Sequence, residues 1–446
     1  MSSIKYDKIV KYHICATTVS PLHIGNSFEN VGDVLIDPIT EVPFIQASTI
    51  TGLLRSVSTL VNDNDTTCEL FGLDKDNICE SDANTSRVKV TDCRMVPSTV
   101  KFETRPNVSV DRKTGTVSTK NSSGQKYDIT YVSQGASFSF YVYLFLQSEQ
   151  YDLTNKLQAV FGTIKHDQTS IGAKKSSGAG RFTIESIKST VYDMKNSQDR
   201  LYWCIEDGDN SRLEDITDKC CAAPGTIKYH VLIKAKSIGP IQIKGVAMSD
   251  FGENAPDSEN IMNGNDDYII PGTSIRGAIR SQMEKIASYQ GKDTVIRGAF
   301  GFAAENHSDG CAGNLIFNDC VIGSQEDIDK NPVRNRIHID KFTGGVMSQA
   351  FFKEKNASGA IDISIEILDR QNPDATLGLL LYALRDLKIK TFNIGNGYAT
   401  GKGFLDIADI SIRTGTSCLS IDENNVIYDE NGIVESVLSA LKEVSA

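Results

Sequence analysis

The sequence predicts an α+β protein made of two tandem ferredoxin-like (RRM-like) domains with long insertions. Three observations support this fold class: the second half repeats the first, both halves contain strictly alternating apolar strands, and both place helices between those strands. Five matched segment pairs occur in one order, at offsets between 223 and 229. The pairs are 46–56 with 271–281, 69–72 with 298–301, 89–93 with 316–320, 111–115 with 340–344, and 170–182 with 393–404. A period of about 220 residues is long enough for each copy to bury its own core.

The repeat and the distribution of charge divide the chain into four segments. Residues 1–190 form the first predicted domain and residues 226–415 the second. Between them, residues 191–225 are rich in Asp and Glu and are predicted to be an acidic connector. Residues 416–446 are predicted to be an acidic C-terminal tail that ends in an amphipathic helix, because its apolar residues recur at helical spacing.

The elements of each copy follow the same order. A first alternating strand, at 12–19 and at 229–235, is followed by a long polar loop. A Ser or Thr then precedes a helix, which predicts hydroxyl N-caps at Ser48 or Thr49 and at Thr273 or Ser274. Further strands and helices are predicted at 87–90, 136–146 and 153–161 in the first copy and at 315–318, 360–368 and 377–387 in the second.

Composition sets limits on the class of protein. The 446 residues carry 40% hydrophobic residues and a net charge of −11, which is typical of soluble globular protein. No apolar run reaches the ~18 residues that a membrane span needs, and the N-terminus has no apolar signal core, so we expect a cytoplasmic protein without membrane contact. The ten cysteines are irregularly spaced and form no CxxC, so buried thiols are expected and structural zinc is not.

The net charge alone argues against nucleic acid, but the repeated motifs are locally basic. Both copies contain a glycine-rich segment, GAKKSSGAGRF and GNGYATGKGF, between a helix and a strand. Glycine permits positive φ angles, so such loops can present N–H groups to phosphates. Neither segment has the Walker A or the Rossmann pattern. A tight helix-to-strand turn is the alternative interpretation, and the recurrence beside lysines favours phosphate binding.

These motifs resemble those of the RAMP superfamily, the RNA-binding fold of CRISPR systems. GTSIRGAIR at 272–280 resembles the family's (I)PGSSLKGxLR segment, although the first copy has QAS where PGS is usual. RIHIDKFTGG at 336–345 resembles the thumb hairpin of type III backbone subunits, and KFETRPNVSVDRKTG at 101–115 resembles it less strictly. The resemblance covers both predicted domains, and a tandem of this kind is similar to the fused backbone subunits of type III-D complexes.

The resemblance implies a backbone subunit that binds guide RNA through its phosphates and 2′-hydroxyls and leaves the base edges free for target RNA. The implied partners are guide RNA, target RNA, other RAMP-type backbone subunits and the large polymerase/cyclase-like subunit. Thr114, Phe342 and Thr343 are expected near the tips or the bases of the thumbs, with Phe342 either a wedge against a base or a buried aromatic. The expected RNA contacts are Arg55, Lys174, Lys175, Arg181, Arg276, Arg280, Arg336, His338, Lys341 and Lys402.

The resemblance also implies a cleavage aspartate in the first long loop of each copy. Counted back from the helix start, Asp33 and Asp257 occupy matching places at an offset of 224, and Asp250 is the rival in the second loop. Asp37 and either Asp266 or Asp267 are expected to cap turns instead. A loop aspartate would bind Mg²⁺ or another divalent cation, or help to deprotonate a 2′-hydroxyl.

Two other functions remain as alternatives. The chain is a purely structural guide-binding subunit if one or both aspartate sites are inactive. A stand-alone ribonuclease that processes guide precursors is the third hypothesis. His23 and His338 lie at non-equivalent positions in the repeat, so no repeated histidine pair supports that third hypothesis.

Overall fold

The structure of the chain is a computed structural model. It describes residues 6–25, 33–72, 85–108, 119–120, 123–124, 126–147, 152–167, 169–205, 211–221, 226–245, 255–302, 310–323, 332–415 and 417–444. The strands, in chain order, are β1 (Lys8–Thr18), β2 (Phe44–Ile45), β3 (Val88–Val90), β4 (Cys93–Met95), β5 (Phe102–Val108), β6 (Thr119–Lys120), β7 (Ser123–Gly124), β8 (Lys126–Val132), β9 (Ser137–Leu146), β10 (Phe182–Asp193), β11 (Glu214–Asp215), β12 (Ile227–Ser237), β13 (Ser258–Glu259), β14 (Ile269–Ile270), β15 (Gly301–Phe302), β16 (Cys311–Ala312), β17 (Leu315–Phe317), β18 (Cys320–Val321), β19 (Val333–Ile339), β20 (Val346–Lys355), β21 (Ala360–Leu368), β22 (Leu405–Thr414), β23 (Ser417–Ile421) and β24 (Ile427–Asp429).

The described α-helices alternate with these strands. They are α1 (Ala47–Val61), α2 (Asn64–Phe71), α3 (Asp152–Asp167), α4 (Ser197–Ile205), α5 (Gly272–Gln290), α6 (Asp293–Phe300), α7 (Pro373–Lys388) and α8 (Ile433–Glu443). Among these helices, none combines the length and the apolar character that a membrane crossing requires.

The chain divides into two compact units. The first unit comprises Met1–Phe102, Tyr131–Lys175 and Ala179–Thr226, and the second comprises Glu103–Thr130, Ser176–Gly178 and Ile227–Ala446. Two pieces of the first sequence repeat therefore belong to the second unit: its central insertion and the tip of its glycine segment. The sequence placed both pieces in the first domain.

The first unit is built on one sheet in the order β11-β10-β1-β9-β4-β2, with β3 also paired to β9. The four main strands follow the ferredoxin-like order, in which the first and third strands are central. Strand β9 alternates between buried and half-buried residues along its length, as its period-two pattern predicted. The buried face packs on α1 and α3 around a core that includes Tyr12, Leu157 and Phe161.

The second unit repeats this arrangement with its own core. Its main sheet has the order β17-β21-β12-β22-β23-β24, so β12 and β21 are central, as β1 and β9 are in the first. Helices α5 and α7 supply the apolar face, through residues such as Ile279 and Leu380. The two-domain ferredoxin-like prediction is confirmed.

The insertions form hairpins outside these sheets. Strands β5 and β8 pair in one two-stranded sheet, and β19 and β20 pair antiparallel in another, with the short β13 parallel to β20. Each hairpin falls between the second and third main strands of its repeat. These are the positions at which thumb-like hairpins were expected.

Three sequence-based details differ in the structure. The connector is not separate from the first unit, because β10 runs past residue 190 and β11 pairs with it. The tail contributes β23 and β24 to the second sheet before its predicted helix, α8. The hydroxyl N-caps are wrong: α1 follows Gln46 and α5 follows Pro271, and neither residue makes a side-chain cap.

Candidate nucleic-acid interface

The first glycine loop folds back onto the end of the first strand. The amide of Ile171 donates to the carbonyl of Gly180 at 2.9 Å, and the amide of Gly180 donates to the carbonyl of Pro21 at 2.8 Å. Gly180 has φ +78°, and a Cβ there would lie 1.8 Å from the carbonyl oxygen of Ile171. Only glycine fits at this close approach of two backbone segments.

The second glycine loop is built in the same way. Gly403 has φ +76°, its amide donates to the carbonyl of Pro240 at 3.0 Å, and its carbonyl accepts from the amide of Ile394 at 2.9 Å. Gly403 follows Gly180 at an offset of 223, which is also the offset between Gly395 and Gly172. The two loops are therefore the same structure on the two sheets.

The first loop exposes its lysines. Lys174 and Lys175 are both exposed, and Lys174 adopts φ +60°, a left-handed conformation that is unfavourable for a residue with a side chain. Arg181 is half-buried; its amide donates to Ser20 Oγ at 2.9 Å, and its guanidinium lies 3.5 Å from the carbonyl of Asp167. The lysines, more than the arginine, are presented to a ligand in solvent.

Lys402 of the second loop has a different environment, which argues against its predicted RNA contact. Its side chain is 7% exposed, forms an ion pair with Glu354 and donates to Gln242 Oε1 at 2.9 Å. Burial alone would raise the pKa of Glu354, but the hydrogen bond and charge of Lys402, with Gln242, bring it below its usual range. The lysine neutralises a carboxylate inside the fold instead of meeting solvent.

The two arginines of α5 that were predicted to contact RNA, Arg276 and Arg280, also form contacts within the fold. Arg276 donates to the carbonyl of Phe300 at 3.0 Å, and the guanidinium of Arg280 lies 5.1 Å from the centre of the Phe300 ring. Arg280 also pairs with Glu284 at 2.7 Å. Arg55, on α1, is half-buried. These guanidinium groups do not extend into solvent, so a phosphate could contact only the N–H groups that remain exposed at their edges.

The second thumb hairpin is strongly exposed. Every residue of β19 is exposed, including Arg336 and His338, and Arg336 Nη1 also lies 3.7 Å from Glu354 Oε1. At the turn, Asp340 Oδ1 accepts from the amide of Phe342 at 2.7 Å, and Phe342 is 100% exposed. The buried-aromatic interpretation of Phe342 is therefore wrong. Thr343 and Lys341 lie in the same exposed turn, whereas Thr114 of the first hairpin lies outside the described residues.

The hydrogen-bond register of the aspartate loops contradicts the predicted match between Asp33 and Asp257. In the first unit the amide of Leu35 donates to Ile24, and in the second the amide of Ile261 donates to Ile243, each at 2.8 Å. The bridges Gly25↔Val34 and Lys244↔Asn260 continue the same ladder. By this hydrogen-bond pattern, Val34 and Leu35 of the first loop correspond to Asn260 and Ile261 of the second, an offset of 226.

The offset of 226 assigns new counterparts to both carboxylates. Asp33 matches Glu259, and Asp257 matches position 31, which is a valine. Glu259 accepts from the hydroxyl of Tyr268 at 2.5 Å and pairs with Lys355 at 3.3 Å. The sequence count gave an offset of 224, whereas the helix starts at Ala47 and Gly272 are 225 apart and the turns between ladder and helix differ in length by one further residue.

The two candidate carboxylates are both exposed but are held differently. Asp257 Oδ2 accepts from the amide of Lys353 at 2.6 Å, and the Asp257 amide donates to the Lys353 carbonyl at 2.8 Å. This pair of bonds fixes Asp257 beside β20, a strand of the thumb hairpin. Asp33 lies in a bend, and the described residues supply no hydrogen bond to its carboxylate. The rival Asp250 lies outside the described residues.

The turn-capping prediction holds for the first loop only. Asp37 Oδ1 accepts from the amides of Ile39 and Thr40, and these bonds lower the pKa of Asp37. In the second loop Asn263 takes this role, accepting from the amides of Asn265 and Asp267 at 2.9 Å. Neither Asp266 nor Asp267 is the counterpart of Asp37.

A divalent cation at these loops would need ligands from RNA. Within the described ranges, no three His, Cys, Asp or Glu side chains lie close enough together to hold a metal ion. Mg²⁺ is commonly bound through one or two carboxylates together with substrate phosphates and water. Asp257 fits that limited role, since one of its carboxylate oxygens accepts from Lys353 and the other is not committed to that bond.

Sequence reasoning missed an arginine inside the thumb-like insertion of the first repeat. Arg105 Nη1 lies 2.7 Å from Asp319 Oδ2 and Arg105 Nε lies 2.6 Å from Glu103 Oε1, all three within the second unit. Arg334 follows Arg105 at the hairpin offset of 229, so the repeat itself contained the signal.

Comparisons with known proteins address the family. No curated protein matches the chain. A chain of the solved structure described as "Cryo-EM structure of the Type III-B Cmr-beta bound to cognate target RNA" is similar to it with 19% sequence identity and a TM-score of 0.32. The similar region covers 41% of this chain and 61% of that one, so this chain matches less than two thirds of the other's length.

The RAMP superfamily matches residues 15–183 and 234–406, one match in each repeat. Since these matches together span well over half of the sequence, the protein belongs to the RAMP superfamily and contains two of its domains.

Proposed function

We propose that the protein is a tandem backbone subunit of a type III CRISPR effector complex, which binds guide RNA and cleaves complementary target RNA through its loop aspartates. The observation that carries this proposal is the repeated site. The same glycine loop, supported by the same backbone contacts, follows the second helix of both ferredoxin-like folds. Two equivalent sites in one chain suit a polymeric ligand with a regular backbone.

Guide binding rests on exposed cations beside that loop and on the second hairpin. Lys174 and Lys175 offer charge to phosphates, and Arg336 and His338 are exposed polar side chains of β19. Recognition of this kind reads the backbone of an RNA strand and not its sequence. It leaves the bases of the guide available for pairing with a target.

Cleavage is assigned first to Asp257. Its two backbone bonds to Lys353 tie the carboxylate to the base of the thumb hairpin, whose tip exposes Phe342. A hairpin that displaces one base of the target would kink the strand and bring a 2′-hydroxyl in line with the next phosphate. Asp257 then orients or deprotonates that hydroxyl, a contribution of about 10²–10⁴-fold in rate. When bound, Mg²⁺ would neutralise the charge that develops on the phosphate.

Asp33 is the second cleavage candidate, but it cannot act as a copy of Asp257. The register places it two positions further along the loop, where the second unit has Glu259. We therefore expect cleavage at the first site to differ in rate from cleavage at the second. The alternative supported by this observation is a subunit whose first repeat is structural and whose second repeat cleaves.

The experiment uses the chain assembled with its guide, a complementary target labelled at its 5′ end, and Mg²⁺ or EDTA. Asp257→Ala should remove one Mg²⁺-dependent product and leave target binding unchanged, since a carboxylate does not help to hold a polyanion. Asp33→Ala should remove the other product, and Asp250→Ala is the control from the same loop as Asp257. If Asp33→Ala leaves both products, the first repeat is structural. If none of the three variants changes the products, the cleavage proposal is wrong and only RNA binding remains.

A further inference from the structure

The outer face of the first sheet carries aromatic rings and cations that the proposed guide path does not use. Cross-strand pairing places Tyr141 opposite His13 and Tyr143 opposite Lys11, on the face opposite α1 and α3, where Trp203 of α4 packs against the Tyr143 ring. The next strands add Lys188 opposite His13, and Lys89 opposite Tyr143. Together with Arg94, which pairs with Ser139 on the same face, these residues form what we call the aromatic–basic face.

The rings of this face are stacked. The ring centres of His13 and Tyr141 lie 4.6 Å apart with their planes at 21°, and Tyr143 continues the series at 6.4 Å and 25°. Lys11 Nζ lies 4.6 Å from the centre of the Tyr141 ring, so a cation is held against the stack, but Lys11 is only 2% exposed and does not itself offer its charge to solvent. Burial, together with the charges of Lys11 and Lys188, lowers the pKa of His13, which keeps its imidazole neutral at pH 7.

Exposed cations flank the stack on both sides. Lys89 and Arg94 are exposed on one edge of the sheet and Lys188 is exposed on the other. Two carboxylates border the aromatic–basic face. Asp215 of β11 lies opposite Lys188, and Glu185 accepts a hydrogen bond from Thr17. A strand of negative charge would therefore cross from the Lys188 side over the rings towards Lys89 and Arg94.

The second unit provides an internal comparison, because the same face of its sheet carries charges of both signs. There His230 pairs with Glu366 on one side and with Arg413 on the other, and Lys234 pairs with Asp362 and with Asp409. No ring of a Tyr, Phe or Trp occupies the outer positions of β21 that correspond to Tyr141 and Tyr143. The aromatic–basic face is therefore not a general property of the fold and belongs to the first repeat alone.

We propose that the aromatic–basic face binds single-stranded nucleic acid as a site additional to the glycine loops. One base stacks on the His13–Tyr141 pair and adjacent phosphates contact Lys89, Arg94 and Lys188. Rings combined with a basic groove are the usual means of binding single strands without regard to sequence, since every base has a face that can stack. A duplex is excluded because its bases are already stacked. The proposal goes beyond guide binding and cleavage, since none of these residues takes part in either.

The test measures fluorescence anisotropy of the full chain with labelled oligouridine and oligothymidine of about 12 nucleotides, a length within the range of known single-strand sites. His13→Ala/Tyr141→Ala should weaken oligouridine binding by about 5- to 150-fold, the effect of removing one stacked base. Lys89→Glu/Arg94→Glu should weaken it and reduce the slope of log K against log salt by about 0.7 for each phosphate that is no longer bound. His230→Ala/Lys234→Glu, on the corresponding face of the second sheet, should leave binding unchanged.

A local readout separates this site from the glycine loops. Trp203, the single tryptophan of the chain, lies 5.6 Å from the Tyr143 ring centre, so its fluorescence reports on the aromatic–basic face. Oligouridine should quench it in the wild type and in Lys174→Ala/Lys175→Ala, but not in the ring variant. Weaker binding of oligothymidine would identify RNA as the ligand, and equal binding would identify any single strand. The proposal is overturned if the ring and charge variants bind like the wild type, if duplex RNA binds equally well, or if the loop variant abolishes the quenching.

Discussion

Arg105, from the insertion of the first sequence repeat, forms an ion pair at 2.7 Å with Asp319, which follows a main strand of the second repeat. Both belong to the second unit. Asp319 also accepts from the amide of Gly272 at 2.8 Å and so caps the start of α5. Glu103, the other partner of Arg105, accepts from the amide of Gly264 at 2.8 Å. One guanidinium thus connects the insertion, through Asp319, to the start of α5.

We predict that Arg105→Met destabilises the second unit by about 3–5 kcal/mol, because removing one partner of a buried pair leaves uncompensated charge. Hydrogen exchange measured by mass spectrometry should show faster exchange at the start of α5, where the amide of Gly272 depends on Asp319. The matched control is Arg334→Met at the equivalent exposed position of the second hairpin, which should change stability by less than about 0.5 kcal/mol. Equal effects of both variants would contradict a structural role for the buried pair.

The lysines of the two glycine loops should behave differently in RNA binding. Lys174→Ala/Lys175→Ala should weaken guide binding and reduce the salt slope by about 0.7 for each phosphate that the variant no longer binds. Lys402→Ala should instead lower stability, since it leaves the buried Glu354 with only its longer 3.7 Å pair to Arg336. Guide binding by filter retention at several salt concentrations, together with thermal unfolding, distinguishes the two effects. A reduced salt slope in a stable Lys402→Ala protein would show that the buried ion pair does not persist with RNA.

Gly180→Ala should unfold the first glycine loop. A Cβ at this position would meet the carbonyl oxygen of Ile171 at 1.8 Å, and the residue would also be strained at φ +78°. Gly135→Ala is the control, because Gly135 has φ +88° but open space around it, so it reports the backbone strain alone at about 1–3 kcal/mol. Thermal unfolding should show a larger loss for Gly180→Ala, and guide binding should fall only in that variant.

The buried Glu354 predicts a pH dependence of stability. Its pKa is lowered in the folded protein, so its ionised form stabilises the fold above the ordinary value of 4.5, and this stabilisation is lost as pH falls through the lower folded value. Glu354→Gln should cost about 1–3 kcal/mol at pH 7 because it removes the charge-assisted bond. Denaturant melts between pH 7 and pH 3 give the free energy of unfolding of each protein. The difference in this free energy between Glu354→Gln and the wild type should become smaller below pH 4.5. As a control, Glu435→Gln, which changes an exposed residue, should show the same change in free energy of unfolding with pH as the wild type.

The fully exposed Phe342 should matter for target RNA and not for folding. Phe342→Ala removes no buried area, so the melting temperature should not change. If the ring displaces a base, the variant should slow target cleavage at the Asp257 site and leave guide binding intact. Thr343→Ala, one residue further along the same turn, controls for a change in the turn itself. A slower reaction in both variants would indicate that turn geometry, and not the ring, is responsible.

The sequence predicted the architecture because the governing pattern is local and repeated. The strict alternation of 136–146 predicted the strand β9. The glycines that recur at Gly180 and Gly403 predicted two loops, and these loops have the same backbone conformation at the two glycines. Burial of alternate residues on a sheet needs no knowledge of distant contacts. The prediction failed where the partner lies far along the chain, as at α1 and α5, whose first amides are capped by Asp92 and Asp319.

Side-chain roles depended on tertiary contacts in the same way. Lys402 and Lys174 look alike in sequence, yet one neutralises Glu354 and the other reaches solvent. Asp33 and Asp257 align by counting, yet the hydrogen-bond ladder separates them by two positions. A count along the chain cannot detect a turn of altered length. Backbone pairing detects it, because the hydrogen bonds of the ladder specify which residues lie opposite each other.

The amino-acid sequence by itself determined that the chain has two ferredoxin-like domains, their order of elements and the glycine loops, because periodicity and the conformational freedom of glycine act over a few residues. Only the tertiary structure decided which charges are available to a ligand, which carboxylates correspond, and that the insertion of the first repeat belongs to the second unit through Arg105. These are properties of residues far apart in sequence, and their energies depend on burial and on partners that exist only once the chain has folded.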